Sequence, residues 1–501
     1  MQIEATQGEL FGHTVDVAVL PVFSGIKRLS GVIQLADKAL DEILSGAIES
    51  GQFEGKEGER FTVTTLGLLK AKRVVLLGLG SKDGASVDTL RKFGGLLVRV
   101  ARETKASSMV VAMPLVSDVP SRAAGQAIAE GLELGSYRFH TFKGTQHKKE
   151  KPLRELKRVS LFVEDAKTLK LVTEGIARGK SFAEATILAR DLVNTPSADM
   201  TPMHMAEVAK SLVTRGSGIH CKVLDQKAME RMGMGAALAV ARGSMHAPVG
   251  IHLSYRPAKA KKRIAIVGKA VTFDSGGLSI KPSDGMMTMK IDMAGAAAVI
   301  GLFKLLPVLK PNVEVEGIFL AVENMPSGSA YRPGDVVTAM DGTTIEVLNT
   351  DAEGRVTLAD ALTYAKKQEP DMIIDLATLT GACIVALGED VAAVLGNNES
   401  LTQKLIVSGK ETGEPLWALP LYEPYTQFIR SKIADIKNIG GGHGGGVITA
   451  ALFLKTFVGD TPWAHLDIAG PSYTEKETRP EQPYGASGYG VRLLANFLSN
   501  M

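Results

Sequence analysis

The sequence predicts an α/β protein of two domains, a smaller N-terminal one and a larger C-terminal one whose mixed sheet lies between helical layers. Three observations carry this expectation. Strand-length apolar runs alternate with helical patterns through the first third. A polar stretch near residue 150, followed by a long unbroken helical pattern, then divides the chain. Beyond it, two runs are apolar on both faces, as strands covered on both sides must be.

In the first third, residues 15–20, 73–78 and 108–113 read as strands, each followed by turn residues. Residues 86–99 carry a helical pattern between two of them. Residues 144–158 are polar and basic and contain Pro152. A short strand is expected at 159–163 and one long helix at 168–192. The domains are therefore set at 1–165 and 193–501, with a connecting helix over 166–192. In the second domain, 263–268 and 371–376 are the central strands. Residues 294–306 form a helix of small side chains that Pro307 is expected to end. Leu358, Ala361, Leu362 and Ala365 recur at helical spacing and mark a buried helix face.

Composition narrows the class. The 501 residues are 45% hydrophobic and 22% charged, which excludes a disordered chain or a coiled coil. Fifty-seven basic against 54 acidic residues leave a net charge of +3, too small for a whole-chain nucleic-acid binder. Two cysteines, Cys221 and Cys383, cannot build a disulfide framework or a thiolate zinc cluster and fit a reducing cytosol. The N-terminus has an acid where a signal peptide is basic, and residues 15–20 are interrupted by Asp16. The longest charge-free apolar run, 294–303, is far below the roughly 18 residues of a membrane helix. A cytoplasmic protein without a membrane partner is expected.

Several tempting motifs fail. Residues 175–181, Gly-Ile-Ala-Arg-Gly-Lys-Ser, have three residues between the glycines where a phosphate loop needs four, and they lie within a helical pattern. Residues 78–84 miss the dinucleotide fingerprint by one position and read as a loop after a strand. His465 sits in an apolar strand and reads as a satisfied core residue. The basic stretches 148–158 and 259–263 read first as solvated loops.

Two segments do carry chemistry. Residues 267–295 bring Lys269, Asp274, Lys281 and Asp292; residues 349–355, Asn-Thr-Asp-Ala-Glu-Gly-Arg, bring Asp351, Glu353 and Arg355. Each follows a strand-like run and precedes a helix, where the crevice of an open α/β sheet forms. Four acids in one crevice repel one another and raise each other's pKa values. Two divalent cations would relieve that, and paired metals are a known hydrolytic device. The competing explanation is helix capping and ion pairing; Asp292, just before a helix, suits it on its own.

The heptad 349–355 resembles the signature of the leucyl aminopeptidase family, the two-metal peptidases also called M17. Residues 267–277, 289–298, 191–196, 375–382 and 463–470 resemble its other segments. The first 165 residues resemble the family in plan only. The run 438–446, Asn-Ile-Gly-Gly-Gly-His-Gly-Gly-Gly, is more uniformly glycine than the family's pattern.

The resemblance implies an aminopeptidase that removes N-terminal leucine and other apolar residues from peptides, by attack of hydroxide that two metals activate. Asp274 and Glu353 would bridge the metals. Lys269 and Asp292 would complete the tighter site, and Asp351 the exchangeable one. Lys281 would stabilise the oxyanion, and Arg355 would hold a bicarbonate ion as general base. Met289, Thr378, Leu379, Gly381 and Ala469 would bind substrate. Mn²⁺ or Zn²⁺ is expected, with Co²⁺ or Mg²⁺ possible at the exchangeable site, in a homohexamer. The rival reading is a DNA-binding regulator on the same fold. The near-neutral charge argues against it, while the basic stretches keep it as a second activity.

Overall fold

The computed structural model describes residues 1–145, 155–441 and 444–501. Most of the basic stretch 148–158, and Gly442 and His443 of the glycine run, therefore lie outside the described residues. The chain forms two compact units, residues 1–184 with 476–483, and residues 185–475 with 484–501.

The first unit holds a six-stranded sheet. Its strands are β1 (Gln2–Thr6), β2 (Val17–Val22), β3 (Arg60–Thr64), β4 (Arg73–Gly78), β5 (Ser108–Ala112) and β6 (Arg158–Phe162), in the order β1-β6-β5-β2-β4-β3. Only β3 runs antiparallel to its neighbour. Alternation in β2 and β4 divides the core. Val17, Val19, Val75 and Leu77 face one apolar cluster, while Ala18, Leu20, Val74 and Leu76 face another. Both faces of the sheet are thus covered, as its continuous apolar runs require. The helix Val87–Thr104 begins with a capping box between Ser86 and Thr89. Residues 175–181 lie within the helix Ala166–Asn194, as ordinary helix.

The second unit is built on a nine-stranded mixed sheet. Its strands are β7 (Ile219–Leu224), β8 (Val249–Tyr255), β9 (Arg263–Gly268), β10 (Ala270–Asp274), β11 (Glu314–Asn324), β14 (Met372–Ala377), β15 (Ala392–Gly396), β16 (Leu416–Ala418) and β18 (Trp463–Asp467). The order is β16-β15-β18-β14-β9-β11-β8-β7, with β10 beside β11. Strands β12 (Val336–Thr338), β13 (Thr344–Glu346) and β17 (Ile436–Lys437) form a small sheet, and β19 (Tyr473–Thr474) pairs with β20 (Gly485–Ala486). Strands β11, β9, β14 and β18 are mutually parallel, so their carboxyl ends share one edge.

The helix Ala294–Leu309 packs against this sheet. Its small residues are a condition of that approach: a Cβ on Gly295 would stand 2.1 Å from the Leu376 carbonyl oxygen. Pro307 does not end the helix, which continues to Leu309 and stops at Lys310 in the left-handed conformation. Proline in the last turn removes one N–H but leaves the earlier hydrogen bonds in place. By length and composition, residues 283–309 could cross a membrane, yet 83% of their apolar window is buried within the protein. His465 is a core residue but only half satisfied: it is fully buried with Nδ1 2.6 Å from Asp375 Oδ1, while Nε2 has no hydrogen-bond partner among the described residues.

Candidate active site

The shared edge of the parallel strands gathers the charged residues. Lys269 follows β9, Asp274 ends β10, Asn324 ends β11, Thr378 follows β14 and Asp467 ends β18. Backbone bonds fix the local geometry. Lys269 N–H donates to the Leu376 carbonyl (2.9 Å), and Ala296 N–H to the Lys269 carbonyl (2.9 Å). The tight seat of Gly295 thereby brings Asp292 beside Lys269.

Asp292 does not cap that helix. Met293 occupies the N-cap position with no side-chain cap, and Asp292 turns its Oδ1 to Lys269 Nζ (2.7 Å) and to the Thr378 hydroxyl (2.8 Å). Lys269 also meets Glu353 Oε1 at 2.8 Å and donates to the Thr378 carbonyl at 3.1 Å. Lys281 pairs with Asp274 Oδ2 at 2.8 Å and with Asp351 Oδ1. Ligand oxygens of Asp274, Asp351 and Glu353 lie within 4.8 Å of one another.

The turn after Asp274 needs its glycines. Gly276 and Gly277 have φ of +84° and +63°, and a Cβ on Gly277 would meet Asn324 Oδ1 at 2.8 Å. This turn returns the chain so that Lys281 N–H reaches the Ser275 carbonyl at 3.0 Å. Glu353 is the first residue of the helix Glu353–Lys366, where the dipole favours a carboxylate.

The electrostatics follow from crowding. Burial raises the Asp292 carboxyl to about 6 despite the Lys269 ammonium beside it. Burial and the neighbouring Asp274 push Glu353 well above the usual range. Burial works against the charged form of Lys269, but Asp292, Glu353 and Asp274 outweigh it and hold the ammonium strongly charged. Lys281 is held charged in the same way, burial being outweighed by Asp274 and Asp351.

Among the described residues, Asp292 Oδ2 and Glu353 Oε2 are buried with no hydrogen-bond partner. Buried carboxylate oxygens without donors are costly, and divalent cations are the partners they fit. A donor set of oxygens and one amine, with no thiolate, suits Mn²⁺, Mg²⁺ or Zn²⁺.

The cage opens into a cleft of about 690 Å³. Eleven of the twelve expected site residues line it: Lys269, Asp274, Lys281, Met289, Asp292, Asp351, Arg355, Thr378, Leu379, Gly381 and Ala469. Glu353 lies behind them, 1% exposed, in contact with Lys269. Sequence reasoning missed the residues that hold these in place. Asn324 Nδ2 donates to Asp274 Oδ1 (2.8 Å) and to the Thr350 carbonyl (3.0 Å). Asn438 accepts from Leu348 N–H (2.9 Å), donates to the Asn349 carbonyl (2.6 Å), and takes Arg355 Nη1 on its own carbonyl (2.9 Å). A polar residue closing the buried run of β11 was the available signal for Asn324.

The chain is similar to known proteins along its length. Residues 187–495 match the catalytic domain of the cytosol aminopeptidase family, and residues 19–146 match its N-terminal domain. The chain belongs to the cytosol aminopeptidase family. A probable cytosol aminopeptidase of Persephonella marina is 43% identical over the whole of both chains. One from a Sulfurihydrogenibium species is 42% identical over 99% of this chain and 98% of that one. Among solved structures, a mutant of tomato leucine aminopeptidase superposes with a TM-score of 0.88 at 35% identity, covering 100% of this chain and 97% of that one. The bottromycin maturation enzyme BotP, in complex with Mn, gives 0.84 at 35% identity, over 97% and 99%. This cytosol aminopeptidase is accordingly a divalent-metal-dependent peptidase, a hydrolase, and its α/β architecture of two domains is the family's.

Proposed function

We propose that this aminopeptidase releases N-terminal leucine and other apolar residues, using two divalent cations held by the cage. The observation that carries the reading is the pair of partnerless oxygens, Asp292 Oδ2 on the wall of a cleft of about 690 Å³ and Glu353 Oε2 just behind it. Asp274 and Glu353 would bridge the cations. Lys269 and Asp292 would complete the tighter site, and Asp351, with its backbone carbonyl, the exchangeable one. When bound, such cations acidify a water toward pKa 7 and polarise a carbonyl. Mn²⁺ or Zn²⁺ is the proposed native metal, with Co²⁺ or Mg²⁺ able to fill the exchangeable site.

The chain's own groups do the rest. Lys281 holds a positive charge on the cleft wall, suited to the oxyanion of a tetrahedral intermediate, on the order of 3 kcal/mol for one such donor. Arg355 would hold a bicarbonate ion as general base; among the described residues its buried Nε has no hydrogen-bond partner, which leaves a donor for an anion. Met289, Thr378, Leu379, Gly381 and Ala469 would help bind the substrate. Ile384 and Ile439 add apolar lining to the same cleft, which favours leucine over a charged residue.

The test is hydrolysis of leucyl, lysyl and aspartyl amides after loading with Mn²⁺, Zn²⁺, Co²⁺ or Mg²⁺, with N-acetyl-leucyl amide as control. Fast leucyl turnover and none of the acetylated compound support the reading. Equal turnover of the acetylated compound sinks it, because no free amine would then be needed.

Two further parts of the proposal, a homohexamer and a cytoplasmic location, rest on likeness to the family. A third, the division into domains 1–165 and 193–501 with 166–192 as connector, rests on the polar stretch 144–158 and the long helix after it. Light scattering that gives a monomer at micromolar concentration would remove the hexamer. The DNA-binding regulator is the rival reading, and the net charge of +3 argues against it. Of its described residues in 259–263, Arg263 is already engaged by Glu314 and the Gln368 carbonyl. A DNA affinity that falls steeply with salt would support it.

A further inference from the structure

Asp467 stands at the end of β18, in register with Ala377 at the end of β14, and is fully buried. Its carboxylate joins two separate pieces of chain. Oδ1 accepts from Leu379 N–H (3.2 Å) and Thr380 N–H (3.4 Å) on the loop after β14. The same oxygen accepts from Ala469 N–H (3.2 Å), an Asx turn on the loop after β18. Oδ2 takes the Thr380 hydroxyl at 2.7 Å. That hydroxyl in turn caps the helix Gly381–Leu387 by accepting from Cys383 N–H at 3.1 Å.

Both pieces line the cleft. Leu379, Thr380, Gly381 and Ala469 all line it, on opposite sides of Asp467 in sequence. At its other end the first loop is tied to the metal cage, because Thr378 bonds Asp292 through its hydroxyl and Lys269 through its carbonyl. The loop 378–380 is thus strung between the cage and Asp467.

We infer that Asp467 is a positioning residue, which sets the two substrate-binding loops at a fixed spacing from each other and from the metal cage. It is not among the residues that line the cleft; it acts through Leu379, Thr380 and Ala469, and its charge also favours the charged form of Arg355. This deepens the aminopeptidase reading and rests on it. One acceptor oxygen facing three N–H groups is what an aspartate supplies and an alanine does not. Asparagine can keep that oxygen and turn its amide to Thr380, whose hydroxyl can accept.

The experiment compares full-length, Mn²⁺-loaded wild type with Asp467→Ala and Asp467→Asn on leucyl amide, with metal content and amide hydrogen exchange measured alongside. Loosened walls weaken ground state and transition state alike, so the loss should fall on KM. Asp467→Ala should raise KM about ten-fold while kcat changes less and both metals stay. Asp467→Asn should recover most of the KM. The amides of Leu379, Thr380 and Ala469 should lose protection together in Asp467→Ala. Unchanged KM, loss of metal with kcat falling alone, or lost protection in only one loop would overturn the inference. Should Asp467→Ala not fold, Thr380→Val removes one donor to Asp467 together with the cap on the helix Gly381–Leu387, and Thr380→Ser, which keeps both, is its control; a smaller KM rise in Thr380→Val that Thr380→Ser does not show supports the inference, and an unchanged KM overturns it. If wild type hydrolyses no aminoacyl amide, the aminopeptidase reading falls, and the exchange pattern by itself decides the role of Asp467.

Discussion

Lys269 Nζ lies 2.8 Å from Glu353 Oε1, and the two side chains are 4% and 1% exposed. The pairing gives the two cleft lysines different tasks. Lys269 is enclosed by Asp292 and Glu353, whereas Lys281 stands nearer solvent, 15% exposed, between Asp274 and Asp351. A lysine that ligates a metal must be neutral, so the cations would have to displace the proton that Asp292 and Glu353 otherwise hold on Lys269, and a guanidinium cannot give one up. Lys269→Arg is therefore expected to lose one metal ion per chain, as read by elemental analysis. Lys281→Arg should keep both ions and lower kcat, since it alters a contact made in the transition state. The reverse pattern would mean that the two roles are exchanged.

Gly354 makes a second expectation. A Cβ there would stand 2.4 Å from Lys269 Cε and 2.6 Å from its Nζ. Lys269 is boxed in by its ion pairs and cannot swing away without breaking them. Gly354→Ala should therefore displace the Lys269 amine and destroy activity on leucyl amide. Overpacking of this kind costs about 1–3 kcal/mol, so the fold should survive. Full activity in the alanine variant would show that Lys269 has more freedom than its contacts imply.

The sequence made the strand ends legible, and with them much of the cleft. The runs at 263–268 and 371–376 fall within one residue of β9 and β14, because strands covered on both faces leave a continuous apolar mark. Acids and lysines just beyond such runs stand out, since buried charge is rare without purpose. Asn324, Asn438 and Asp467 did not stand out. Their bonds go to backbone groups dozens of residues away, and backbone partners leave no trace in side-chain pattern. Asp292 taken on its own also read well as a helix cap, and its turn toward Lys269 and Thr378 excludes that role. Pro307 misled because its rule applies to helix interiors, and it lies in a last turn.

Metal removal should be felt as stability. The cage holds partnerless carboxylate oxygens on Asp292 and Glu353, so ligation contributes to the folded state alone. A single ion at one hundred times its Kd adds about 2.7 kcal/mol. Melting temperature should rise on adding Mn²⁺ and fall with chelator. In Asp274→Asn the dependence should be much weaker, with activity lost while the fold persists. A melting temperature indifferent to Mn²⁺ in the native protein would count against a metal cage at this position.

Asp360 sets a pH dependence away from the cleft. It lies in the helix Glu353–Lys366, fully buried, and its oxygens accept from Ala237 N–H (2.8 Å) and Met340 N–H (2.7 Å). Ala237 is in the first turn of the helix Gly235–Ala241, whose N-cap residue Met234 supplies no side-chain bond, so Asp360 caps that helix from a distance. Burial pushes its carboxyl up to about 7, and the backbone donors that favour the charged form only partly offset this. The folded value thus lies above the roughly 3.9 of an unfolded aspartate. The native state binds the proton more tightly, so this group's contribution is greatest near pH 4 and declines as pH rises through 7. A rise of that size amounts to about 4 kcal/mol across the window. Asp360→Asn cannot titrate, and its amide must face an N–H donor, so it should be less stable at pH 5 by about 1–3 kcal/mol. The gap between native protein and variant, measured by urea unfolding, should then narrow between pH 5 and 8. A gap that widens with pH would show that the backbone donors prevail over burial and that Asp360 is held as a carboxylate.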